Sequence, residues 1–255
     1  MNPINEFLDI SVFGILKYFM IAGSYYVVCY ILYKKALENA KIQKKEILGR
    51  NIKREIRHSV LSSVIMSVLI FVAIDTDLSK YTKWYHNIND YPLWWLPVSF
   101  LLGIFIHDTY FYWLHRLLHH QKVFKYAHVV HHQSNNPSPF TSYSFHFLEA
   151  VGEGLIVPIL LFIIPFHLIS IYCFIVVGFL INAYGHLGYE IAPKWFRKSF
   201  LFQILNSSVY HNLHHSKFRG NYGLYFRFWD KIMGTENPEY ENAYDKIQNK
   251  RFRDK

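Results

Sequence analysis

The sequence predicts an all-α integral membrane protein of about four transmembrane helices, paired as two hairpins, under a cytoplasmic helical cap that carries a histidine-rich di-metal site. Three observations lead there. The 255 residues are 52% hydrophobic and 19% aromatic, and the apolar residues fall in long runs. Basic residues gather beside those runs, the pattern of cytoplasmic flanks in membrane proteins. Between and after the runs stand three histidine clusters: His115-Arg116-Leu117-Leu118-His119-His120, His128-Val129-Val130-His131-His132 and His211-Asn212-Leu213-His214-His215.

Taken in order, residues 1–92 form N-terminal membrane helices and a basic connector. The first apolar stretch, about 10–33, is too long for a signal-peptide core and long enough to span a bilayer. Lys17 inside it is expected to reach an interface by snorkelling. Residues 34–57 hold nine Lys or Arg against three Glu, which marks a helical cytoplasmic connector. A second run, about 59–74, is short. Residues 75–91 are polar with an aromatic rim (Trp84, Tyr85, Tyr91, Trp94 and Trp95), as in a non-cytoplasmic loop.

Residues 93–240 are expected to be the catalytic region. A third run, about 93–114, delivers the first histidine cluster back to the cytoplasmic side. The apolar stretch 145–184, interrupted at Pro158 and Pro165, allows a short hairpin that leaves the second and third clusters on one side. Glu149 and Glu153 indicate that its first turns lie outside lipid. Residues 241–255 read as a charged tail. No strand alternation, repeat or low-complexity segment is evident.

The net charge of +9 would suit nucleic acid or anionic lipid. Its placement favours lipid, and no nucleic-acid-binding signature is present, so no nucleic-acid partner is expected. Cys29 and Cys173 are isolated in apolar stretches and offer neither a disulfide framework nor a metal site.

The chemistry lies in the histidines. Positions i, i+3 and i+4 share one helix face, so each H-x-x-H-H cluster is expected to point its imidazoles one way. His115 and His119 are one turn apart; His120 is the alternative to His119. Eight or nine imidazoles exceed the needs of one closed tetrahedral zinc. His186, at the end of the last apolar run, would add a ligand, and Asn182 one turn earlier an extra one. Asp108 is suited to orient a ligand imidazole. His58, His86 and His167, outside any cluster, are expected to be packing residues. All-imidazole sites suit zinc, copper, iron or nickel. The Glu-x-x-His pattern of soluble di-iron bundles is absent.

At these residues the chain resembles the fatty acid hydroxylase / sterol desaturase superfamily of membrane di-iron enzymes. The likeness covers Asp108 to Thr235. It includes Phe111-Tyr112-Trp113-Leu114-His115-Arg116, the three histidine boxes, His186-Leu187-Gly188-Tyr189, Asn221-Tyr222-Gly223, Trp229-Asp230 and Gly234-Thr235. Pro137-Ser138-Pro139-Phe140 and Phe145-His146-Phe147 are similar to the sterol C5-desaturase-like branch. By position the resemblance implies nine iron ligands: His115, His119, His128, His131, His132, His186, His211, His214 and His215. Branches acting on sphingolipid acyl chains have a histidine where this chain has Asn182, which weakens that substrate.

The resemblance implies dioxygen-dependent hydroxylation or desaturation of a lipid C–H bond by two irons. The chain has no dinucleotide, flavin or haem motif. Electrons would therefore come from a cytochrome b5-like or ferredoxin-like donor and its reductase. The alternatives are a non-redox membrane zinc protein or a metal transporter; a transporter would carry its ligands near mid-span. Lys, Ile and Asn richness points to an AT-rich bacterial genome, and so to a bacterial inner membrane ahead of the endoplasmic reticulum.

Overall fold

A computed structural model describes residues 2–252. Its architecture is a bundle of long helices with a cap of short ones at one end. The long helices are α1 (Pro3–Tyr26, continued as a π-helix over Val27–Leu32), α2 (Gly49–Ile74) and α3 (Trp95–Leu118). The short helices α4 (Gln121–Ala127) and α5 (Val129–His132) follow. The descending leg of the last hairpin is split into α6 (Phe147–Gly154) and α7 (Ile156–Ile163), and α8 (Leu168–Gly185) returns. The cap closes with α9 (Phe200–Ile204), α10 (Ser208–Lys217), α11 (Phe228–Ile232) and α12 (Tyr240–Phe252).

Three segments are long and apolar enough to cross a membrane: Pro3–Leu32, Gly49–Ile74 and Leu168–Gly185. The fourth long helix, α3, has the length, but its second half carries His107, Asp108, His115 and Arg116 and is less apolar. α1 and α2 approach along small residues. Ser59, Ser63 and Ser67 are buried, and the Ser63 and Ser67 hydroxyls donate back to the carbonyls one turn earlier. Such side chains satisfy themselves on their own helix and let two backbones come close. Between α3, α7 and α8 the core is Ile104, Phe111, Leu160, Leu161, Phe166 and Phe174.

Two loops meet at the end opposite the cap. There β1 (Trp84–Tyr85) pairs in parallel with β2 (Phe166–His167), so a minimal sheet exists despite the absence of strand alternation in the sequence. The His167 ring contacts the His86 carbonyl and caps α8, a structural role. α3 and α8 both start at this end and run to the other, which places His115, His119 and His186 on one side. Twenty-four residues of α3 span about 36 Å at about 1.5 Å per residue.

As its shortness allowed, the second apolar run is extended at its start, by a helix that begins at Gly49. Three expectations are corrected. The basic connector is not helical before Gly49: it forms turns and a 3-10 turn (Glu38–Ala40), and Lys41 bridges to Tyr189 of the cap. Lys17 does not snorkel; it is buried, and its ammonium donates to Tyr143 Oη at 3.3 Å. The C-terminal tail is a packed helix: Tyr240, Tyr244 and Ile247 of α12 are buried against Phe202 and Tyr210. The apolar spacing 240, 244, 247 is one helix face, which the surrounding charges obscure. Residues 253–255 of that tail lie outside the described residues.

Candidate metal centre

All nine histidines converge in the cap, in two groups. His115, His119, His128, His132 and His214 bring one nitrogen each within 4.8 Å of one another; so do His131, His186, His211 and His215. The two H-x-x-H-H clusters therefore do not point one way. Each forks. His128 and His132, at i and i+4, face the first group and His131 the second; His211 and His215 face the second and His214 the first. Consecutive helical residues diverge by about 100°, so an adjacent histidine pair straddles two centres. The second cluster does this on a helix of only four residues, α5.

Backbone and carboxylate acceptors fix four of the rings. The Nδ1–H of His115 donates to the Tyr222 carbonyl at 2.9 Å, that of His214 to Gly220 at 2.7 Å, and that of His186 to Asn182 at 2.8 Å. His128 Nδ1 meets Glu149 Oε1 at 2.7 Å, with both side chains buried. A carbonyl can only accept, so Nδ1 holds the proton and Nε2 presents its lone pair to the centre. Nε2 of His115 and of His128 has no hydrogen-bond partner at all.

The inward nitrogens are close. His119, His132 and His214 have Nε2 atoms 3.1 Å apart pairwise. In the second group His186 Nε2 is 3.0 Å from His211, 3.1 Å from His215 and 3.2 Å from His131. Nitrogens bound at about 2.1 Å to one ion lie about 3.0 Å apart at right angles and about 3.4 Å apart in a tetrahedron. The observed spacings of 3.0–3.2 Å are those of nitrogens able to share one ion. Burial and neighbouring imidazoles hold His128, His131, His132, His211, His214 and His215 well below the usual imidazole pKa. They are neutral at pH 7, the form that binds metal.

The three remaining sequence candidates lie elsewhere. His120 is outside both groups; its ring accepts from Lys122 N and caps α4. The Asn182 amide donates to the Ser142 carbonyl, and its contribution is the backbone carbonyl that orients His186. Asp108 does not touch an imidazole. Its carboxylate accepts from the backbone N–H of Tyr225 at 2.7 Å and of Phe226 at 3.1 Å. Asp230 accepts from Tyr222 N, Gly223 N and Thr235 Oγ1. Two carboxylates thus pin the loop whose Tyr222 carbonyl aims His115. A Cβ at Gly223 would lie 2.3 Å from the Phe226 carbonyl oxygen, so this turn admits only glycine.

Glu149 and Glu55 were missed as site residues. Glu55 on α2 accepts from Ser134 Oγ at 2.6 Å and Ser138 Oγ at 2.7 Å, and so ties the segment after the second box to a spanning helix. The signal for Glu149 is a carboxylate inside an apolar run, which by itself speaks only of topology; Glu55, among nine bases, gives none.

Adjoining, largely apolar cavities make up a passage that runs from the far end toward this centre. A cavity of about 280 Å³ lies between α1, α2, α7 and α8, lined by Phe13, Met66, Ile70, Leu161 and Ile171 among others. It shares Lys17, Tyr143 and Val157 with a second cavity of about 90 Å³, which reaches Phe145 and Asn182. A third, small one links Asn182 to His211. The Phe145 ring is 5.2 Å from that of His131.

Fold and site together define a helical membrane protein in which two converging histidine groups are suited to hold metal, beside largely apolar cavities. Residues 100–235 match the family model described as fatty acid hydroxylase, and the chain belongs to that family. It is 32% identical to lathosterol oxidase of Rattus norvegicus over 87% of this chain and 70% of that protein. To the Homo sapiens lathosterol oxidase it is 32% identical over 88% of this chain and 72% of the other. A Delta(7)-sterol 5(6)-desaturase of Gibberella zeae is 29% identical over 92% of this chain; the match spans 64% of the fungal protein, just under two thirds. These relatives place the chain nearest the sterol C5-desaturase-like branch. No solved structure matches it.

Proposed function

We propose that the protein is a membrane-bound oxidoreductase that holds two irons and uses dioxygen to hydroxylate or desaturate a lipid C–H bond. The observation that carries this reading is the convergence of nine imidazoles, four with their protons turned outward onto fixed acceptors, at the inner end of an apolar passage. The five- and four-nitrogen groups would each hold one iron, the first through His115, His119, His128, His132 and His214, the second through His131, His186, His211 and His215. Bound iron supplies the activation of dioxygen that an unactivated C–H bond requires.

The residues of the chain do the rest. Tyr222, Gly220 and Asn182 carbonyls and Glu149 orient the rings; the aromatic and aliphatic walls of the passage align an apolar substrate and exclude water. The relatives, a lathosterol oxidase and a sterol desaturase, support a sterol-like lipid; membership of the fatty acid hydroxylase family also fits an acyl chain. A cytochrome b5-like or ferredoxin-like protein with its reductase is the proposed electron source, since the chain has no reducing cofactor motif.

The basic 34–57 connector lies at the histidine end, with Gln43 bonded to Asn212 and Arg54 to Ser134. By the positive-inside rule that end faces the cytoplasm. The bacterial inner membrane rests on composition alone, and the relatives named are fungal and mammalian. A transporter would hold ligands at mid-span, whereas here they sit at and beyond the ends of α3 and α8.

Lipid profiles of aerobic cells expressing the wild type or His131→Ala test the proposal. A lipid that gains a hydroxyl or double bond with the wild type only is expected. Identical profiles, with both proteins present in the membrane, would refute it.

A further inference from the structure

We propose that the inner end of the passage is a subsite for the hydroxyl group of a lipid, formed by Lys17, Tyr143 and Glu153. The inference rests on the lipid-oxidase reading and specifies its substrate. Lys17 stands mid-helix in α1 and is 9% exposed; its one hydrogen bond is to Tyr143 Oη at 3.3 Å. Its ammonium also lies 5.1 Å from the ring centres of Tyr143 and of Phe179. Among the described residues no carboxylate is within ion-pair distance of it. Glu153 on α6 is 8% exposed and makes neither a hydrogen bond nor an ion pair among the described residues. Lys17, Tyr143 and Glu153 all line the cavity of about 90 Å³ beside the second histidine group.

A buried amine and a buried carboxyl group that face one small cavity without touching are costly to desolvate unless something joins them. Tyr143 Oη accepts from Lys17, so its own O–H is free to donate. A group that bridges them must both donate and accept. A hydroxyl does so: it donates to the Glu153 carboxylate and accepts from Lys17 or Tyr143. A hydrocarbon would leave Glu153 without a partner and Lys17 with Tyr143 alone.

The apolar remainder of the ligand then extends into the cavity of about 280 Å³, which Lys17 and Tyr143 also line. The hydroxyl end lies toward Phe145 and Asn182, the neighbours of His131 and His186. The carbon presented to the histidine centre is therefore near the hydroxyl-bearing carbon, not at the far end of the tail.

The test is equilibrium binding to the metal-free full chain in detergent micelles. The probes are lathosterol and its 3-O-methyl ether, and 1-hexadecanol and hexadecane. At least one alcohol should bind about tenfold or more tighter than its partner lacking the hydroxyl donor, as expected for hydrogen bonds to charged groups. That preference should largely vanish in Lys17→Met and in Glu153→Gln, with binding of the ether or hydrocarbon retained. A preference confined to lathosterol identifies a ring hydroxyl, and one confined to hexadecanol a chain alcohol; either supports the subsite. Equal binding of alcohol and partner by the wild type, or a preference that survives in both variants, overturns it while leaving the lipid-oxidase reading intact. Failure of all four probes to bind would overturn both.

Discussion

Glu149→Ala removes the carboxylate that accepts from His128 Nδ1 at 2.7 Å, in a place where both side chains are buried. Nothing else reaches that nitrogen, so the ring loses its fixed tautomer and its N–H is left unsatisfied. Loss of such an outer partner weakens metal binding about 10- to 100-fold, or about 1.4 to 2.8 kcal/mol. The weakening should fall on one centre only, because His128 belongs to the group of five and not to the group of four. The assay is chelator competition on iron-loaded protein, with iron counted per chain. Wild type should release its two irons over a narrow range of chelator; the variant should release one of the two about 10- to 100-fold more readily. Glu149→Gln, which keeps an acceptor oxygen, should recover part of the loss. If both irons weaken together, or neither does, the assignment of His128 and Glu149 to a separate centre is wrong.

Other expectations follow from the same geometry. Asp108→Ala leaves two backbone N–H groups without their acceptor, at about 1–3 kcal/mol each; hydrogen exchange should rise at Tyr225 and Phe226, and a lowered melting temperature without faster exchange there would argue against the pinned loop. Gly223→Ala should displace that loop and lower iron content, since the added carbon meets the Phe226 carbonyl; normal iron content would show the turn to be tolerant. The metal-free protein should lose stability as pH falls below about 6.5. Unfolded imidazoles take up protons there, while burial holds the folded ones neutral, so each favours the unfolded state by about 1.4 kcal/mol per pH unit. Denaturation midpoints between pH 5 and 8 measure this, and a flat profile would contradict it.

Much of the site was legible because helical spacing is periodic. His115 and His119, and each H-x-x-H-H cluster, announce imidazoles at helix-face positions, and the break near Pro165 announced the hairpin that brings His186 to the same side. The fork within each cluster was not legible, since it depends on where the second centre lies and not on the spacing. Asp108 stands one to two turns before His115, which suggests an orienting role, but its target is a loop 117 residues away, and long-range backbone contacts leave no local pattern. Glu149 reads as an exception within an apolar run and Glu55 as one of three acids among the connector's bases; their partners, an imidazole and two serines, come from other elements. Lys17 looked free to snorkel because the run around it was apolar, whereas packing against Tyr143 keeps it inside. The packed face of α12 is masked in the sequence by the charges around it, Glu241, Asp245 and Lys246.

Anaerobic iron loading of the purified full-length chain, followed by metal analysis and oxygen uptake after reduction, tests the two-centre site most directly. Two irons per chain in an all-nitrogen environment, with oxygen consumed, is the predicted result. One tightly held zinc per chain and no reaction with oxygen would contradict it.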